Sequence, residues 1–299
     1  MAAPRSNRAR RFDDDTWQPD QVVHPHQQVD DTDLDPDEPS WSTYRDAMRG
    51  PTPAPAWVVT DPRAIDTDLG VMKTGKEADV SLLRRALPDP ADTSGDAPAG
   101  CLLAVKRYRS AEHRMFHRDS GYLEGRRVRR SREMRAMATR TAFGKELIAQ
   151  QWAFAEFVVL SRLWNAGAAV PYPVQLIDSE LMMEFIGTPD GVAAPRLAQV
   201  QLTRAEGEAL YRQVVHTLGV FADAGLAHGD LSAYNILVHE GRVVFIDVPQ
   251  AVDIVGNPQG FTYLRRDCDN ICTWFHSRGV PGADPDALFD ELTQLAGPA

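Results

Sequence analysis

Three polar residues hem a short apolar hairpin in the last third of this chain. The stretch His228-Gly-Asp-Leu-Ser-Ala-Tyr-Asn-Ile-Leu-Val238 is followed by Val243-Val-Phe-Ile-Asp-Val248. Residues 236–238 and 243–248 read as two apolar strands joined across His239-Glu-Gly-Arg242. Asp230 and Asn235 stand five apart before the first strand, and Asp247 follows Asn235 by twelve, at the end of the second. A fold that accepts this stretch must bury the hairpin and still bring two carboxylates and an amide to one rim. A hairpin with incidental surface polar residues is the plain alternative, and spacing this specific sets it aside.

Around that stretch the 299-residue chain divides into a strand-rich half and a helix-rich half. Residues 80–85 and 101–108 read as strands, with a Pro-, Asp- and Gly-rich loop at 88–100 between them. Residues 143–164 carry helical periodicity, with Leu147, Ile148, Trp152, Ala155, Val159 and Leu163 on one face and Asn165-Ala-Gly167 as the stop. Two more strands are predicted at 171–177 and 180–186. A helix follows at 203–224, where Thr203 and Glu206 form a capping box and Gly225 ends the run. Helices at 263–277 and 284–295 close the chain, and there is no internal repeat. The order predicts an α+β fold of two lobes, 56–187 and 188–299. Residues 1–55, acidic and Pro-rich with few aliphatics, are predicted to form a disordered tail, with Pro51-Thr-Pro-Ala-Pro55 as a stiff linker. Trp17, Trp41 and Tyr44 are its exceptions.

Charge is unevenly spread. The net charge is -10, and residues 12–44 hold ten acids with no Lys or Arg. Residues 106–145 hold thirteen bases against four acids, a stripe that suits RNA or an acidic partner unless it is simply a solvated face and loop. No run of about 18 apolar residues exists, which excludes a membrane span. The first residues lack the apolar core of a secretory signal. Three scattered cysteines cannot build a disulfide framework, so a cytoplasmic setting is expected.

The hairpin rim has the groups that phosphoryl transfer from ATP requires. That reaction needs an acceptor for a hydroxyl proton and fixed oxygens for Mg²⁺. Asp230 suits the first role; Asn235 and Asp247, hard oxygen donors, suit the second. Upstream, Lys106 in Leu103-Ala-Val-Lys106 is an ammonium on an apolar strand, which requires a counter-charge; ATP phosphates and Glu156 on the following helix are the candidates. Lys73-Thr-Gly-Lys-Glu-Ala-Asp-Val80 has one glycine and is neither a G-x-G-x-x-G loop nor a Walker A motif, yet it can turn between strands and offer amides and Lys76 to phosphate.

From residue 69 to 280 these motifs are collinear with those of one family. The chain resembles the RIO atypical protein kinases, in particular the branch whose nucleotide loop reads STGKEANV. Thr74-Gly-Lys-Glu-Ala78 matches that loop and Ala104-Val-Lys106 the strand lysine. Trp152-Ala-Phe-Ala-Glu156 matches W-A-x-K-E, Met183-Glu-Phe-Ile-Gly187 the hinge, and Ala194-Pro-Arg-Leu197 an APRL segment. His228-Gly-Asp-Leu-Ser232 with Asn235 matches HGDLSEYN, and Ile246-Asp-Val-Pro-Gln-Ala-Val-Asp253 matches IDVSQAVD. Leu264-Arg-Arg-Asp-Cys268, Asn270-Ile271 and Gly279-Val280 match the closing motif.

The resemblance implies a bilobed kinase-like fold, ATP with Mg²⁺ or Mn²⁺, and serine phosphorylation with autophosphorylation. It implies Asp230 as catalytic aspartate, a Lys106–Glu156 ion pair, and metal on Asn235 and Asp247. It places Thr74, Gly75, Lys76, Glu77, Ala78, Val80, Lys106, Met183, Glu184, Ile186 and Ser232 around ATP, with backbone at Glu184 and Ile186 meeting adenine. It also implies that Asp247 can take the phosphoryl group itself, which gives an ATPase-type switch; in the family such a role accompanies ribosome maturation, with the basic loop on RNA. The Ala-, Arg- and Asp-rich composition has a bacterial cast.

Departures from the family pattern leave every catalytic group in place. Lys73 stands where Ser is usual, which alters contacts to the γ-phosphate; Pro249 replaces a Ser, Phe154 and Ala155 replace charged residues, and 88–100 is an insertion. Gly229 replaces the Arg of H-R-D, so the arginine that waits for an activation-loop phosphate is missing. No A-P-E follows Asp247, so the peptide-docking helices of larger kinases are not expected. A small-molecule phosphotransferase of the aminoglycoside or choline kinase type is the competing enzyme class; it shares HGD-x₄-N and lacks the GKEA, APRL and LRRDC segments. Cys268 and Cys272, one helical turn apart, are predicted to be buried helix residues rather than metal ligands. His228 reads as a brace of the catalytic loop, Met182 and Met183 as core or gatekeeper residues, and Trp152 and Trp164 as helix-to-sheet packing.

Overall fold

The computed structural model describes residues 40–92, 98–109 and 142–297. The acidic stretch up to residue 39 and the basic stretch 110–141 lie outside the described residues. Six antiparallel strands form the first lobe: β1 (Met48–Arg49), β2 (Ile65–Thr74), β3 (Ala78–Ala86), β4 (Gly100–Tyr108), β5 (Pro173–Ile177) and β6 (Glu180–Glu184). Their spatial order is β1-β5-β6-β4-β3-β2. β3 and β4 pair without a slip from Ala78↔Tyr108 to Ala86↔Gly100. Helix α1 (Ala142–Asn165) lies against β4, β5 and β6. It buries Ala149, Ala153, Phe157, Leu160 and Leu163, spaced four, four, three and three. Of the face expected from periodicity, Ala155 and Leu163 are buried and the others are only partly covered. The helix is apolar on nearly all sides, so its sequence pattern does not single out one face.

The expected tail boundary at residue 55 is corrected: the chain is built into the fold from Ser40. Ser42 N–H donates to Ala64 at 2.8 Å, and β1 pairs with β5 through Met48↔Leu176. Tyr44 and Val58 join Leu83, Leu103, Val105, Tyr172, Val174 and Met182 in a second core, with Trp57 packed against it. A buried polar network explains why this segment orders. Arg85, fully buried, donates to both Asp66 oxygens at 2.7 Å and to Gln175 at 2.9 Å, and Gln175 donates to Thr43 at 2.8 Å. A buried guanidinium needs such partners, and the segment at 40–66 supplies Asp66 to it and Thr43 to Gln175.

β2 has no counterpart in the sequence reading. It is an edge strand, mostly exposed, with register shifts between Asp68 and Gly70 and between Val71 and Lys73. An exposed, bulged, charged edge gives no alternating signal.

The second lobe holds α2 (Arg204–Asp223), α3 (Gly260–Ser277) and α4 (Pro285–Ala296), with the pairs β7 (Leu226–Ala227) with β10 (Val252–Asp253) and β8 (Ile236–His239) with β9 (Arg242–Phe245). The capping box forms as expected: Glu206 N–H donates to Thr203 Oγ1 at 3.3 Å and Thr203 N–H to Glu206 at 2.8 Å. The second hairpin strand stops at Phe245, not at 248, because Asp247 sits at φ 66°, which breaks the extended chain. The two-lobed α+β arrangement agrees with the expectation. Cys268 and Cys272 are buried in α3.

Candidate active site

β4 carries Lys106, α1 carries Glu156, and the turn after β9 carries Asp247; the fold brings the three together. Lys106 Nζ lies 2.8 Å from Glu156 Oε1 and 2.9 Å from Asp247 Oδ1. Burial alone would lower the Lys106 pKa; the two carboxylates more than reverse this and hold it above its ordinary value. For Asp247, burial pushes the carboxyl up, but Lys106 outweighs it, with help from Lys73, and the acid is held below the usual range. Its side chain is 42% exposed, so one carboxylate edge is open.

Tyr108 completes the cluster, and the sequence reading missed it. Its hydroxyl donates to Glu156 Oε2, and its ring centroid lies 5.2 Å from Lys106 Nζ. Burial, then Glu156, pushes the phenol well above its ordinary range. The signal was present: residues two apart on a strand share a face, so Tyr108 had to join Lys106.

The loop that carries Asp230 is held from α3. Asp267 is fully buried and accepts the N–H of Gly229 at 2.8 Å and of Leu231 at 2.9 Å, the residues on either side of Asp230. Asn270 Nδ2 donates to the Leu231 carbonyl at 3.1 Å, and Arg266 donates to the Gly229 carbonyl. Arg266 Nη2 lies 3.9 Å from Asp230 Oδ1, and the Asp230 side chain is 55% exposed. Gly229 has φ 82°, and a Cβ there would lie 2.3 Å from the Gln250 carbonyl oxygen, so neither Arg nor any other side chain fits. The Arg-Asp-Cys-Asp-Asn run 266–270 was legible as a motif, but nothing in its composition revealed that it holds this loop.

Asn235 joins the loop to Asp247. Its Nδ2 donates to the Asp230 carbonyl at 2.8 Å, which leaves Oδ1 as the acceptor, and its own carbonyl takes the Ile246 N–H at 2.9 Å. Its N–H donates to the Ser232 carbonyl at 2.9 Å, while Ser232 Oγ accepts from Tyr234 N–H at 3.3 Å. His228, fully buried, stacks on Phe221 with Nε2 3.3 Å from the Ile246 carbonyl, in keeping with a brace.

The Thr74–Ala78 turn joins β2 to β3. Gly75 N–H donates to the Ala78 carbonyl at 2.9 Å, and a Cβ on Gly75 would lie 2.8 Å from that oxygen. Lys76 and Glu77 are exposed, and Val80 pairs directly with Lys106. On β6, Met183 pairs with Ala104 and Glu184 with Leu103. Glu184 N–H donates to the Tyr172 carbonyl at 2.8 Å, and the Ile186 carbonyl accepts from Ala194 N–H at 2.9 Å, so the APRL segment starts at the hinge. Arg196 Nη1 then donates to the Tyr234 carbonyl at 2.8 Å, which ties the hinge to the Asp230 loop. Among the described residues no group of three or more His, Cys, Asp or Glu side chains is spaced to hold a metal, and no helix is long and apolar enough to cross a membrane.

A family model described as the RIO domain matches residues 95–288. The chain is 34% identical over 230 residues to the RIO-type serine/threonine-protein kinase Rio1 of Haloferax volcanii, covering 77% of this chain and 70% of that one. It is 32% identical over 234 residues to mouse serine/threonine-protein kinase RIO3, covering 77% of this chain and 43% of the relative. It is 33% identical over 241 residues to human serine/threonine-protein kinase RIO1, covering 77% and 37% respectively. The chain therefore spans less than half the length of these mammalian relatives.

Proposed function

The chain belongs to the RIO family of serine/threonine-protein kinases, and from that membership we propose that it transfers the γ-phosphate of ATP to a protein serine, its own included. The observation that carries the reading is the double engagement of Lys106 Nζ, 2.8 Å from Glu156 and 2.9 Å from Asp247. A phosphate-binding lysine requires such a partner on the neighbouring helix, and a metal-holding carboxylate must stand beside it. Lys106, steadied by Glu156 and Tyr108, takes the α- and β-phosphates. Thr74, Gly75, Lys76, Glu77, Ala78 and Val80 cover the nucleotide from above. Met183 and the backbone of Glu184 and Ile186 face adenine, and Ser232 assists beside the phosphate.

Asn235 and Asp247 fit a Mg²⁺ or Mn²⁺ ion as its protein ligands. The Asn235 amide nitrogen is committed to the Asp230 carbonyl, so its oxygen is the free donor, and the Asp247 carboxylate is ionised and partly open. Two hard oxygens, completed by water and phosphate, are a usual protein share for Mg²⁺. Such an ion, when bound, offsets charge on the β- and γ-phosphates. Asp230 orients the acceptor hydroxyl and takes its proton. Arg266, Asp267 and Asn270 hold it at that position, and positioning of this kind supplies much of the rate.

A second reading has its own observation: the ionised, partly exposed Asp247 carboxylate can itself attack the γ-phosphorus, releasing ADP and leaving an aspartyl phosphate. Incubation with γ-³²P-ATP and Mg²⁺ separates the two. Serine transfer predicts a label that is stable to acid and resists hydroxylamine. A hydroxylamine-labile label that disappears in Asp247→Ala selects the acyl phosphate instead.

A further inference from the structure

Lys73 is the second-last residue of β2, and strand register fixes where it points. Lys73 pairs with Val80, and Val80 pairs with Lys106, so all three lie in one cross-strand row. Directly paired residues of an antiparallel sheet project from the same face. Lys106 projects into the cleft, where it meets Glu156 and Asp247; Lys73 projects into the same cleft from two strands away, about 10 Å further out. The register shift between Val71 and Lys73 produces this arrangement. Without it Met72 would occupy the row, and Lys73 would face the other side.

The charges around Lys73 locate it further. Partial desolvation, then Arg196 and Lys106, lowers its ammonium pKa, while Asp247 pulls the other way. Arg196 is fixed on the Tyr234 carbonyl at 2.8 Å, in the loop that carries Asp230 and Asn235. Lys73 therefore hangs across the cleft within electrostatic reach of both Asp247 and that loop. Its side chain is exposed, and no hydrogen bond or salt bridge engages its ammonium among the described residues. Lys73 and Lys106 thus both act on one partly open carboxylate, Asp247; Lys106 is already engaged by Glu156 and Asp247, which leaves the Lys73 ammonium for an anionic group of the ligand. The order along the cleft assigns the inner phosphates to Lys106 and the outermost to Lys73.

We propose that Lys73 binds the terminal phosphate of the nucleotide and remains on it during transfer, a charge that the serine usual at this position in the resembled loop cannot supply. It gives up no proton: the bond from the γ-phosphorus to the β-phosphate oxygen breaks, the bond to the acceptor oxygen forms, and the ammonium offsets charge on the non-bridging oxygens. The proposal rests on the nucleotide-site reading above.

Calorimetric titration of the full chain with Mg·ATP and Mg·ADP, with steady-state kinetics on the same preparations, tests it. Lys73→Met is expected to weaken Mg·ATP about 10- to 100-fold, the range for a lost hydrogen bond to a charged group. Mg·ADP should change by less than about threefold, and kcat should fall with the ATP affinity; Lys73→Arg should recover most of both. An unchanged preference for ATP over ADP with wild-type kcat in Lys73→Met overturns the proposal. Lys106→Met, run in parallel, separates the layers. If it is impaired while Lys73→Met is not, only the role of Lys73 falls. If Lys106→Met binds and turns over as the wild type does, the nucleotide site itself is misassigned and the proposal falls with it.

Discussion

Asp267→Ala is expected to unfold more readily than the wild type by roughly 2–4 kcal/mol and to lose about 100-fold in kcat. Asp267 is fully buried and is the shared acceptor for the Gly229 and Leu231 N–H groups. Truncation orphans both donors, and a buried unsatisfied group costs roughly 1–3 kcal/mol. Part of that cost is offset, because burial already raises the Asp267 pKa and its carboxylate therefore carries a desolvation penalty of its own. Urea unfolding should show a lower midpoint with an unchanged slope. The catalytic loss follows from position: the two orphaned amides flank Asp230, so the loop that holds the acceptor loosens while Lys106 and the hinge do not. The KM for ATP should therefore move little. Asp267→Asn keeps one acceptor and should fall between the two proteins. Wild-type kcat in a destabilised Asp267→Ala would show that this carboxylate supports the fold without positioning Asp230.

Lys106→Met should lower kcat/KM by at least about 100-fold, the scale for removing one preorganised charge partner from a transition state. It also leaves Glu156, which is almost fully buried, without its ammonium and frees Asp247 from the same partner. The Lys106 pKa is raised above its ordinary 10.5, so the stability it contributes is fully present below pH 10.5 and lost as pH rises through the folded value. Asp247 is depressed below its ordinary 3.8, so its contribution is present above pH 3.8 and lost as pH falls through the lower folded value. The contribution of this pair to the stability difference between wild type and Lys106→Met should therefore be constant through the neutral range and shrink only at those two extremes. Chemical denaturation at pH 5, 7 and 9 checks this; a slope in that interval would report the Glu156 carboxyl, which the variant leaves buried without its ammonium.

How much of this was legible in the sequence depended on whether a residue's partner lay close in the chain. The Thr203–Glu206 box and the β8–β9 hairpin are local patterns; the box forms as read, and the hairpin forms with its second strand ending three residues earlier. Lys106 meets Glu156 and Asp247 across 50 and 141 residues; the lysine's need for a counter-charge and the resemblance led to the first pairing, and nothing in the sequence led to the second. The ordering of 40–55 was hidden because its cause is elsewhere: Gln175, itself held by Arg85, takes Thr43 as its partner, which a local composition count cannot see. β2 was hidden because a bulged, charged edge strand resembles a loop. Gly229 shows the reverse case. Its departure from H-R-D looked like a lost regulatory arginine, and the backbone gives a physical reason, since the Gln250 carbonyl fills the space that a side chain would need.

The most direct test measures Mg·ATP binding and phosphate transfer on one preparation of Asp230→Asn. Asp230 is more than half exposed at the cleft and is held mainly through the amides of its neighbours, with Arg266 3.9 Å from its own carboxylate, so this change should leave the fold and the nucleotide contacts intact. Nucleotide affinity within about threefold of wild type, with transfer from γ-³²P-ATP reduced by a factor of 100 or more, is the predicted result for a group that acts on the acceptor hydroxyl. Transfer at the wild-type rate in Asp230→Asn would contradict the account, because the acceptor's proton would then have to be taken by some other group.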